Sequence, residues 1–161
     1  MAFVIFNLAA VAALVGIDQL IKLWAVRVLQ PVGVLPLIPH VVELRFVLNP
    51  GKAFSLLSGK QLFLILATSA ALLLVAYGLF FRSRGKHLQQ AALLLVLGGG
   101  IGNLIDRVLA GEVVDYIILL FMRFAVFNFA DICVCVGVAL WVLEIFLEES
   151  HAGNADPSEE Q

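Results

Sequence analysis

Two aspartates in the second half of the chain have the residue type and the setting for acid–base chemistry. Asp115 lies in the segment EVVDYIILLF, and Asp131 opens the last apolar segment, FNFADICVCVGVAL. Two carboxylates that lie close together in a medium of low dielectric cannot both ionise, so they share a proton. One can then activate a water as a base while the other, protonated, polarises a carbonyl, which is the chemistry of aspartyl proteases.

The spacing of 16 residues does not by itself establish that the two side chains converge. Taken alone, Asp115 is an ordinary loop acid just outside an apolar segment. Taken alone, Asp131 is a good N-cap for the last helix, with Asn128 as a competing cap. Both acids are expected at the same membrane face, because one apolar segment ends there and the next begins there.

A second pair of charged residues lies in the first apolar segment, where Asp18 and Lys22 are four residues apart. This spacing places both on one helix face, where their opposite charges can pair. Ionisable groups inside a span cost roughly 2.5 to 3.5 kcal/mol each on insertion scales and are therefore candidates for function. We interpret the pair chiefly as a structural ion pair with Lys22 snorkelling to the interface, and direct chemistry is the alternative.

The segment GGGIGNLIDR, residues 98 to 107, closes the third apolar segment. Gly98 and Gly102 have the GxxxG spacing that lets another helix approach closely. Asn103 is expected to face the bundle with these glycines, where it can support a site. Asp106, beside Arg107, is interpreted as a charge-balanced structural acid, and Arg107 as an anchor at the interface.

Other chemistries have weaker support from the sequence. Ser55 or Ser58 near Lys60 could form a Ser–Lys dyad, although the segment AFSLLSGK is otherwise a short amphipathic loop. Cys133 and Cys135 point to different faces of a helix, so neither a disulfide between them nor a zinc site is expected. The three histidines are scattered along the chain and suggest no metal site.

The composition indicates that these residues belong to a membrane protein. Hydrophobic residues make up 62% of the chain and charged residues 14%, whereas soluble domains are about half apolar and a quarter charged. Half of the acids lie at or after Glu144, so the body of the chain is basic and its C-terminal end is acidic. No segment resembles a basic nucleic-acid arm.

Four apolar segments are long enough, or nearly so, to cross a bilayer, which takes roughly 20 residues. The predicted spans cover residues 3–29, 61–81, 88–109 and 131–147. We therefore predict an all-α integral membrane protein with four transmembrane helices in one domain, residues 1–149, and a disordered acidic tail at 150–161. The first span lacks a basic leader and contains charged residues, so we interpret it as a retained helix and not a cleaved signal peptide.

The loop at residues 30–60 is predicted to carry a small extracytoplasmic β element. Pro31, Pro36 and Pro39 are expected to stop the first helix. The segment VVELRFV at 41–47 alternates as a short strand does, and NPG at 49–51 is a turn signal. The cations of RSRGKH suggest that this later loop is cytoplasmic, although the cations of the other loops do not favour that orientation.

Five segments occur in the order and positions typical of the lipoprotein signal peptidase family, also called signal peptidase II: DQLIK, NPGKAFSLL, GGGIGNLIDR, VVDY and FNFAD. The chain resembles this family over residues 18–137. The resemblance implies that Asp115 and Asp131 are the catalytic pair of an aspartyl intramembrane endopeptidase. It also implies substrate-binding or site-supporting roles for Asp18, Lys22, Asn49, Gly102, Asn103, Asp106, Arg107 and Asn128.

The resemblance also implies a substrate and a location. The substrates would be diacylglyceryl-modified prolipoproteins, cut just before the lipid-modified cysteine. The protein would lie in the bacterial inner membrane with both termini in the cytoplasm and the catalytic pair near the outer leaflet. The expected partners are these substrates and membrane lipids, not nucleic acid. We expect a monomer that needs neither a cofactor nor a metal.

Two positions depart from the pattern of the family. The family usually reads N-T-G-x-A-F-S, whereas here Pro50 follows Asn49 and Lys52 follows Gly51. Pro50 biases Asn49 toward extended geometry, and this bears on the pose of the Asn49 side chain. Phe129 occupies a position that more often holds Val or Leu, and its bulk could alter the fit of the substrate.

Two other classes of membrane protein are compatible with buried Asp, Lys and Arg. A transporter or proton-coupled channel should show charges at the membrane midplane and internal repeats. No convincing repeat relates the two halves of this sequence, and the acids cluster at one face. A non-catalytic membrane scaffold would make the paired aspartates accidental.

Overall fold

The computed structural model describes residues 1–51, 61–121 and 126–153, with side chains described as far as residue 149. Its elements are α1 (Ala2–Trp24), a π-helical segment (Ala25–Leu29), α2 (Gln30–Val32), β1 (Val34–Ile38), β2 (Val42–Asn49), α3 (Gln61–Phe81), α4 (His87–Leu109), β3 (Val113–Leu119) and α5 (Phe129–Gly153). Within the described residues, four helical stretches are long and apolar enough to cross a membrane. The predicted fold of four transmembrane helices with a small β element is confirmed.

The first helical stretch continues past Pro31, where the sequence predicted that it would stop. The π-helical segment comes directly before, and the N–H of Gln30 donates to the carbonyl of Ala25, five residues back. A π-helical turn shifts the hydrogen-bond pattern by one residue, and a proline, which has no N–H, follows it here. The stretch ends instead at Gly33, whose φ of 84° suits a glycine.

Three antiparallel strands form one small sheet in the order β1-β2-β3. Strand β2 covers residues 42–47 of the strand predicted at 41–47 and continues to Asn49. Strand β3 places Asp115 opposite Val47 and Val113 opposite Asn49. Asp115 therefore lies on a strand, and its interpretation as a loop acid is wrong. The β-branched residues of VVDYIIL favour an extended chain once β2 is available as a partner.

The sheet packs on the end of the bundle at which the first helical stretch finishes. Ala25, Leu29 and Tyr116 form one buried cluster, and Leu44 and Phe46 of β2 pack against it. This cluster joins the π-helical segment to both β2 and β3. The strand that carries Asp115 is thus fixed to the end of the first helical stretch.

Helix α4 lies at the centre of the bundle and packs against α1, α3 and α5. Its glycines allow α1 to approach closely. A Cβ atom at Gly98 would lie 2.7 Å from the Cβ of Leu14, and one at Gly102 would lie 2.4 Å from Oδ2 of Asp18. The GxxxG segment therefore serves contact between helices, and α1 is the helix that it contacts.

Helix α5 begins at Phe129, two residues before Asp131. Oδ1 of Asn128 accepts a hydrogen bond from the backbone N–H of Asp131 at 2.9 Å. In return, Oδ2 of Asp131 accepts one from the backbone N–H of Asn128 at 3.1 Å. These reciprocal bonds form a capping box. Asn128 is therefore the N-cap and Asp131 the third residue of the helix, and the interpretation of Asp131 as the N-cap is wrong.

Some of the sequence predictions fall outside the described residues. Ser55, Ser58 and Lys60, the members of the alternative dyad, lie in the undescribed range 52–60, as does Lys52. Residues 154–161 of the predicted acidic tail also lie outside the described residues. Helix α5 continues to Gly153, three residues beyond the predicted start of the tail.

Candidate active site

The two aspartates are joined through one asparagine. Nδ2 of Asn128 donates to Oδ1 of Asp115 at 2.8 Å, and the backbone N–H of Asn128 donates to Oδ2 of Asp131 at 3.1 Å. Asn128 is fully buried and Asp115 is 1% exposed, whereas Asp131 is half-buried. The structure therefore brings the ends of β3 and α5 together around a single amide side chain.

Two further asparagines hold the remaining oxygens of the two acids. Nδ2 of Asn49, on β2, donates to Oδ2 of Asp115 at 2.8 Å. Nδ2 of Asn103, on α4, donates to Oδ1 of Asp131 at 2.7 Å. Each of the four carboxylate oxygens thus accepts one hydrogen bond from an asparagine. Because each oxygen has a second lone pair, the pair can still hold a shared proton or a water.

Lys22 organises the layer beneath these asparagines. Its Nζ donates to Oδ1 of Asn103 at 2.9 Å and lies 2.8 Å from Asp18 and 2.9 Å from Asp106. Lys22 is 3% exposed, so it points into the protein and does not snorkel. Since Oδ1 of Asn103 faces the ammonium group, its amide nitrogen is directed at Asp131. The predicted ion pair between Asp18 and Lys22 is formed.

Asp106 is balanced by Lys22 and not by Arg107. Besides this ion pair, Oδ2 of Asp106 accepts the backbone N–H of Val114 at 3.2 Å. Asp106 thereby links α4 to β3 one residue before Asp115. Outside the backbone bonds of α4, the carbonyl oxygen of Arg107 accepts a hydrogen bond from Nε2 of Gln61 at 2.7 Å. The guanidinium group of Arg107 lines a groove described below.

Asp18 ties helix α1 to the start of α5. Its Oδ1 accepts the backbone N–H of Ala130 at 3.2 Å, directly before Asp131. Gly102 leaves the room that the Asp18 carboxylate needs, since a Cβ there would lie 2.4 Å from Oδ2. Asp18 thus fixes the position of α5 by bonding to it, and Gly102 contributes by leaving room for the Asp18 carboxylate.

Sequence reasoning missed one member of this network, Gln19. Its Nε2 donates to Oδ1 of Asp106 at 3.0 Å and to the carbonyl of Gly102 at 3.2 Å. It also lies 3.3 Å from Oδ2 of Asp18. The available signal was a polar amide inside an apolar span, where an unpartnered polar group is expensive. Gln19 is uncharged, so the cost of burying ionisable groups in a span does not identify it.

The Asp115 carboxyl group has a perturbed proton affinity. Burial raises its pKa to about 6, and the charge of Asp131 adds to this rise. The hydrogen bonds from Asn49 and Asn128 act in the opposite direction, because they favour the ionised form. A carboxyl group with a pKa near 6 exchanges protons close to neutral pH, and a general acid or base needs this property.

An apolar groove of about 540 Å³ opens beside Asp131. Polar groups occur at one part of its wall: Thr68 of α3, Asn103 and Arg107 of α4, and Asp131 of α5. The rest of the lining is aliphatic or small, with Leu72, Val75, Val96 and Val134 among its members. The groove offers space for an apolar chain whose polar end would lie at the acids.

The two departures from the family pattern leave the acids in place. Oδ1 of Asn49 accepts the backbone N–H of Gly51 at 2.9 Å, an Asx turn that accommodates Pro50 between them. This turn leaves the Asn49 amide nitrogen free to bond Asp115. Phe129 packs against the buried cluster of Ala25, Leu29 and Tyr116 and is not part of the groove lining.

Comparison with known proteins shows to which family the chain belongs. A family model described as signal peptidase (SPase) II matches residues 10–147. The chain is 42% identical over 141 residues to the lipoprotein signal peptidase of Streptococcus pyogenes serotype M2 (strain MGAS10270), which covers 86% of this chain and 91% of the relative. It is 41% identical, with the same coverage, to that of serotype M5 (strain Manfredo).

Two solved structures share the fold. One, described as a bacterial membrane enzyme structure by the in meso method at 1.9 Å resolution, has a TM-score of 0.80 and 31% sequence identity, covering 87% of this chain and 92% of that chain. A second, described in the same words at 2.3 Å resolution, has a TM-score of 0.83 and 30% identity, covering 97% and 94%.

Proposed function

Because the chain belongs to the signal peptidase II family, we propose that Asp115 and Asp131 make it an aspartyl intramembrane endopeptidase for diacylglyceryl-modified prolipoproteins. Family membership makes the chain a protease that cleaves lipoprotein signal peptides. With its four apolar helices, it is a bacterial multi-pass membrane protein. The proposal adds the two catalytic side chains, the cleavage position just before the lipid-modified cysteine, and the mechanism.

The observation that carries the proposal is the asparagine frame around the two acids. Three amides, from Asn49, Asn103 and Asn128, each donate to a carboxylate oxygen within 2.8 Å. They come from β2, α4 and the start of α5, so three separate elements orient the pair. Preorganised donors of this kind hold catalytic groups without reorganisation during the reaction.

The raised pKa of Asp115 supports a division of roles within the pair. Near pH 6, the pKa of the Asp115 carboxyl group, the two carboxyl groups would hold one proton between them. The ionised member accepts a proton from a water, whose oxygen attacks the scissile carbonyl carbon, while the protonated member donates to the carbonyl oxygen. This gives a tetrahedral gem-diol. As the C–N bond breaks, the nitrogen takes a proton from the protonated member and leaves as the amine of the new N-terminal cysteine, while the ionised member takes a proton from a gem-diol hydroxyl, so the pair again holds one proton.

The groove beside Asp131 supports the proposed substrate class. Its aliphatic wall suits the apolar helix of a signal peptide or the acyl chains of a diacylglyceryl group. Arg107 and Thr68 lie on the polar part of this wall with Asp131, where they can bind the peptide backbone near the cut. The residues named here suffice for the chemistry, so we propose that the enzyme needs no cofactor or metal.

The proposal also includes the location of the site in the membrane. We place the protein in the inner membrane with both termini in the cytoplasm, as the resemblance to the family implies; the cations of the loop between α3 and α4 agree with this orientation. The acids then lie near the outer leaflet, where a lipid-anchored substrate can enter sideways between helices. We further propose that the protein acts as a monomer, because all members of the asparagine frame come from one chain.

Replacing either acid tests the mechanism. Asp115→Asn and Asp131→Asn should each lower cleavage of a diacylglyceryl-modified prolipoprotein by about 100- to 10,000-fold, the range for loss of general acid–base catalysis. Glu112→Gln, three residues before Asp115 and outside the network, is the matched control and should keep its activity. Gel-based cleavage in detergent measures the rates, and near-normal activity of Asp115→Asn would show that the pair is not catalytic.

The same assay tests the substrate class. The unmodified precursor, which lacks the diacylglyceryl group, should be cut far more slowly than the modified one by the native protein. Equal cleavage of both forms would overturn the assignment of the acyl chains to the groove while leaving the role of the acids intact.

A further inference from the structure

A second groove lies at the end of the bundle away from the acids. It has a volume of about 560 Å³ and runs between the start of α1 and the start of α4. Apolar side chains line most of it, and two polar residues, His87 and Gln90, lie on the α4 side. The apolar lining comprises Ala2, Phe3, Phe6, Ala91 and Leu94.

This groove is separate from the site of the acids. His87 and Asn103 are both on α4, 16 residues apart, which is roughly 24 Å along a helix at 1.5 Å per residue. Such a distance is close to the thickness of the hydrocarbon core. A ligand in this groove would therefore not contact either aspartate.

Three exposed cations and one histidine lie in the segment that leads into α4. Arg82, Arg84, Lys86 and His87 lie within six residues of the chain, and all four are exposed. Lys86 forms an exposed ion pair with Glu148 of α5. Among the described residues, Arg82 and Arg84 form no ion pair with an acid, so their charges are available to a ligand.

Arg84 joins this positive charge to the apolar groove. Its guanidinium carbon lies 5.4 Å from the centroid of the Phe3 ring, and Phe3 lines the groove. A cation over an aromatic face is attracted by the ring and is held in place. The charged group thus lies against a side chain of the α1 wall of the groove, and His87 lies on the α4 wall.

We propose that this groove binds an anionic phospholipid. The phosphate would lie between Arg84 and His87, and one acyl chain would follow Phe3, Phe6 and Leu94 along the bundle. Three observations select a lipid as the occupant: the cations lie where a span ends, most of the groove lining is apolar, and Phe6, which lines the groove, is 61% exposed. Anionic head groups occur at this level of a bilayer and attract basic residues there.

The quantity to measure is the difference in binding affinity between a lipid with an anionic head group and a lipid with a neutral one. Native mass spectrometry of the full-length protein from detergent would give the affinity for palmitoyl-oleoyl phosphatidylglycerol and for phosphatidylcholine with the same chains. The native protein should prefer phosphatidylglycerol. Arg84→Gln should reduce this preference about fivefold, the equivalent of about 1 kcal/mol for one basic residue near anionic lipid.

Two further variants separate this groove from general surface charge. Arg27→Gln removes an exposed cation near the other end of the bundle and should leave the preference unchanged. Ala91→Phe fills the channel without changing charge and should weaken binding of both lipids. Equal affinity of the native protein for both lipids, an equal effect of Arg27→Gln, or no effect of Ala91→Phe would each overturn the proposal.

The measurement is independent of catalysis. It records bound lipid and not cleavage, so it gives the same answer whether or not Asp115 and Asp131 are the catalytic pair. Circular dichroism of each variant verifies that the helices are intact before the affinities are compared.

Discussion

At the scale of single residues, the site combines two acids with three amides. The Asn128 side chain has two separate functions. Its side-chain oxygen caps α5, and its side-chain nitrogen bonds Asp115 and also lies 3.0 Å from Oδ1 of Asn103. The first function serves the helix and the second serves the carboxylate, and they use opposite ends of one amide group.

A serine can separate the two functions of Asn128. Serine is as good an N-cap as asparagine, whereas alanine at an N-cap costs about 1 kcal/mol of stability. Both variants lose the side-chain amide, but only Asn128→Ser keeps a good cap, so Asn128→Ala should unfold at the lower temperature of the two. Both variants lack the amide nitrogen that bonds Asp115, and such a bond to a charged group contributes about 1.5–3 kcal/mol. Cleavage should fall about 10- to 100-fold in both.

Thermal unfolding in detergent and cleavage rates are the two measurements. Native activity of Asn128→Ser with a normal unfolding temperature would mean that the amide nitrogen contributes nothing to the reaction. An activity loss in Asn128→Ala alone would mean that capping is the whole role of Asn128.

Sequence reasoning identified most of the polar residues but not their partners. The pairing of Asp18 with Lys22 was predictable because both lie on one helix face. The bond from Asn49 to Asp115 was not, because it depends on the register between β2 and β3. Likewise, Asp106 was assigned to its neighbour Arg107, whereas the cation that balances it comes from α1. Local spacing cannot report contacts between distant segments.

At the scale of elements, the close contact between α1 and α4 determines where the polar network lies. Asp18 and Leu14 of α1 face Gly102 and Gly98 of α4. The missing side chains bring α1 near enough for Lys22 to reach Asn103 and Asp106. A glycine pattern of this kind predicts that two helices meet, but it does not identify the partner helix.

A methyl group at Gly102 should disrupt this contact. Its Cβ would lie 2.4 Å from Oδ2 of Asp18, so the carboxylate or the helix must move. Overpacking of this kind typically costs about 1–3 kcal/mol. Gly102→Ala should lower the unfolding temperature and reduce cleavage together, because Asp18 also bonds the start of α5.

Gly16→Ala is the matched control for this prediction. Gly16 lies on the exposed face of α1, and a Cβ there would meet nothing within 4 Å. Alanine favours a helix over glycine by up to about 1 kcal/mol, so this variant should be at least as stable as the native protein. Equal stability of Gly102→Ala and Gly16→Ala would contradict the steric argument.

Strand β3 is the element that the sequence did not reveal. The segment VVDYIIL is too short and too apolar to show clear alternation, and periodicity alone does not separate it from a loop beside a span. Its backbone is paired only because β2 and the chain at Phe127 lie on either side of it. The strand therefore depends on pairing in the tertiary structure in addition to the extended preference of its β-branched residues.

At the scale of the whole molecule, the buried Asp115 couples stability to pH. Its pKa is raised from 3.8 to about 6 in the folded protein. Between these values the folded state binds more protons than the unfolded state, so the free energy of unfolding falls as pH rises through this window. At 1.36 kcal/mol per unit, the loss approaches about 3 kcal/mol above pH 6.

Asp115→Asn removes this titration and provides the comparison. We expect the variant to gain stability relative to the native protein as pH rises from about 4 to about 7, with most of the change complete near pH 6. Thermal unfolding in one detergent at a series of pH values measures the difference. A constant difference across this range would mean that Asp115 titrates alike in the folded and unfolded protein.

The capping box at the start of α5 has a consequence for how the protein is made. Asp131 and the amide that directs Asp115 both belong to the last of the four helical stretches, so a ribosome that has released only the first three has produced one acid without its partner. The nascent chain would therefore have no proteolytic activity until its final helix enters the membrane. Under the proposed mechanism, completion of synthesis and onset of proteolysis would be the same event.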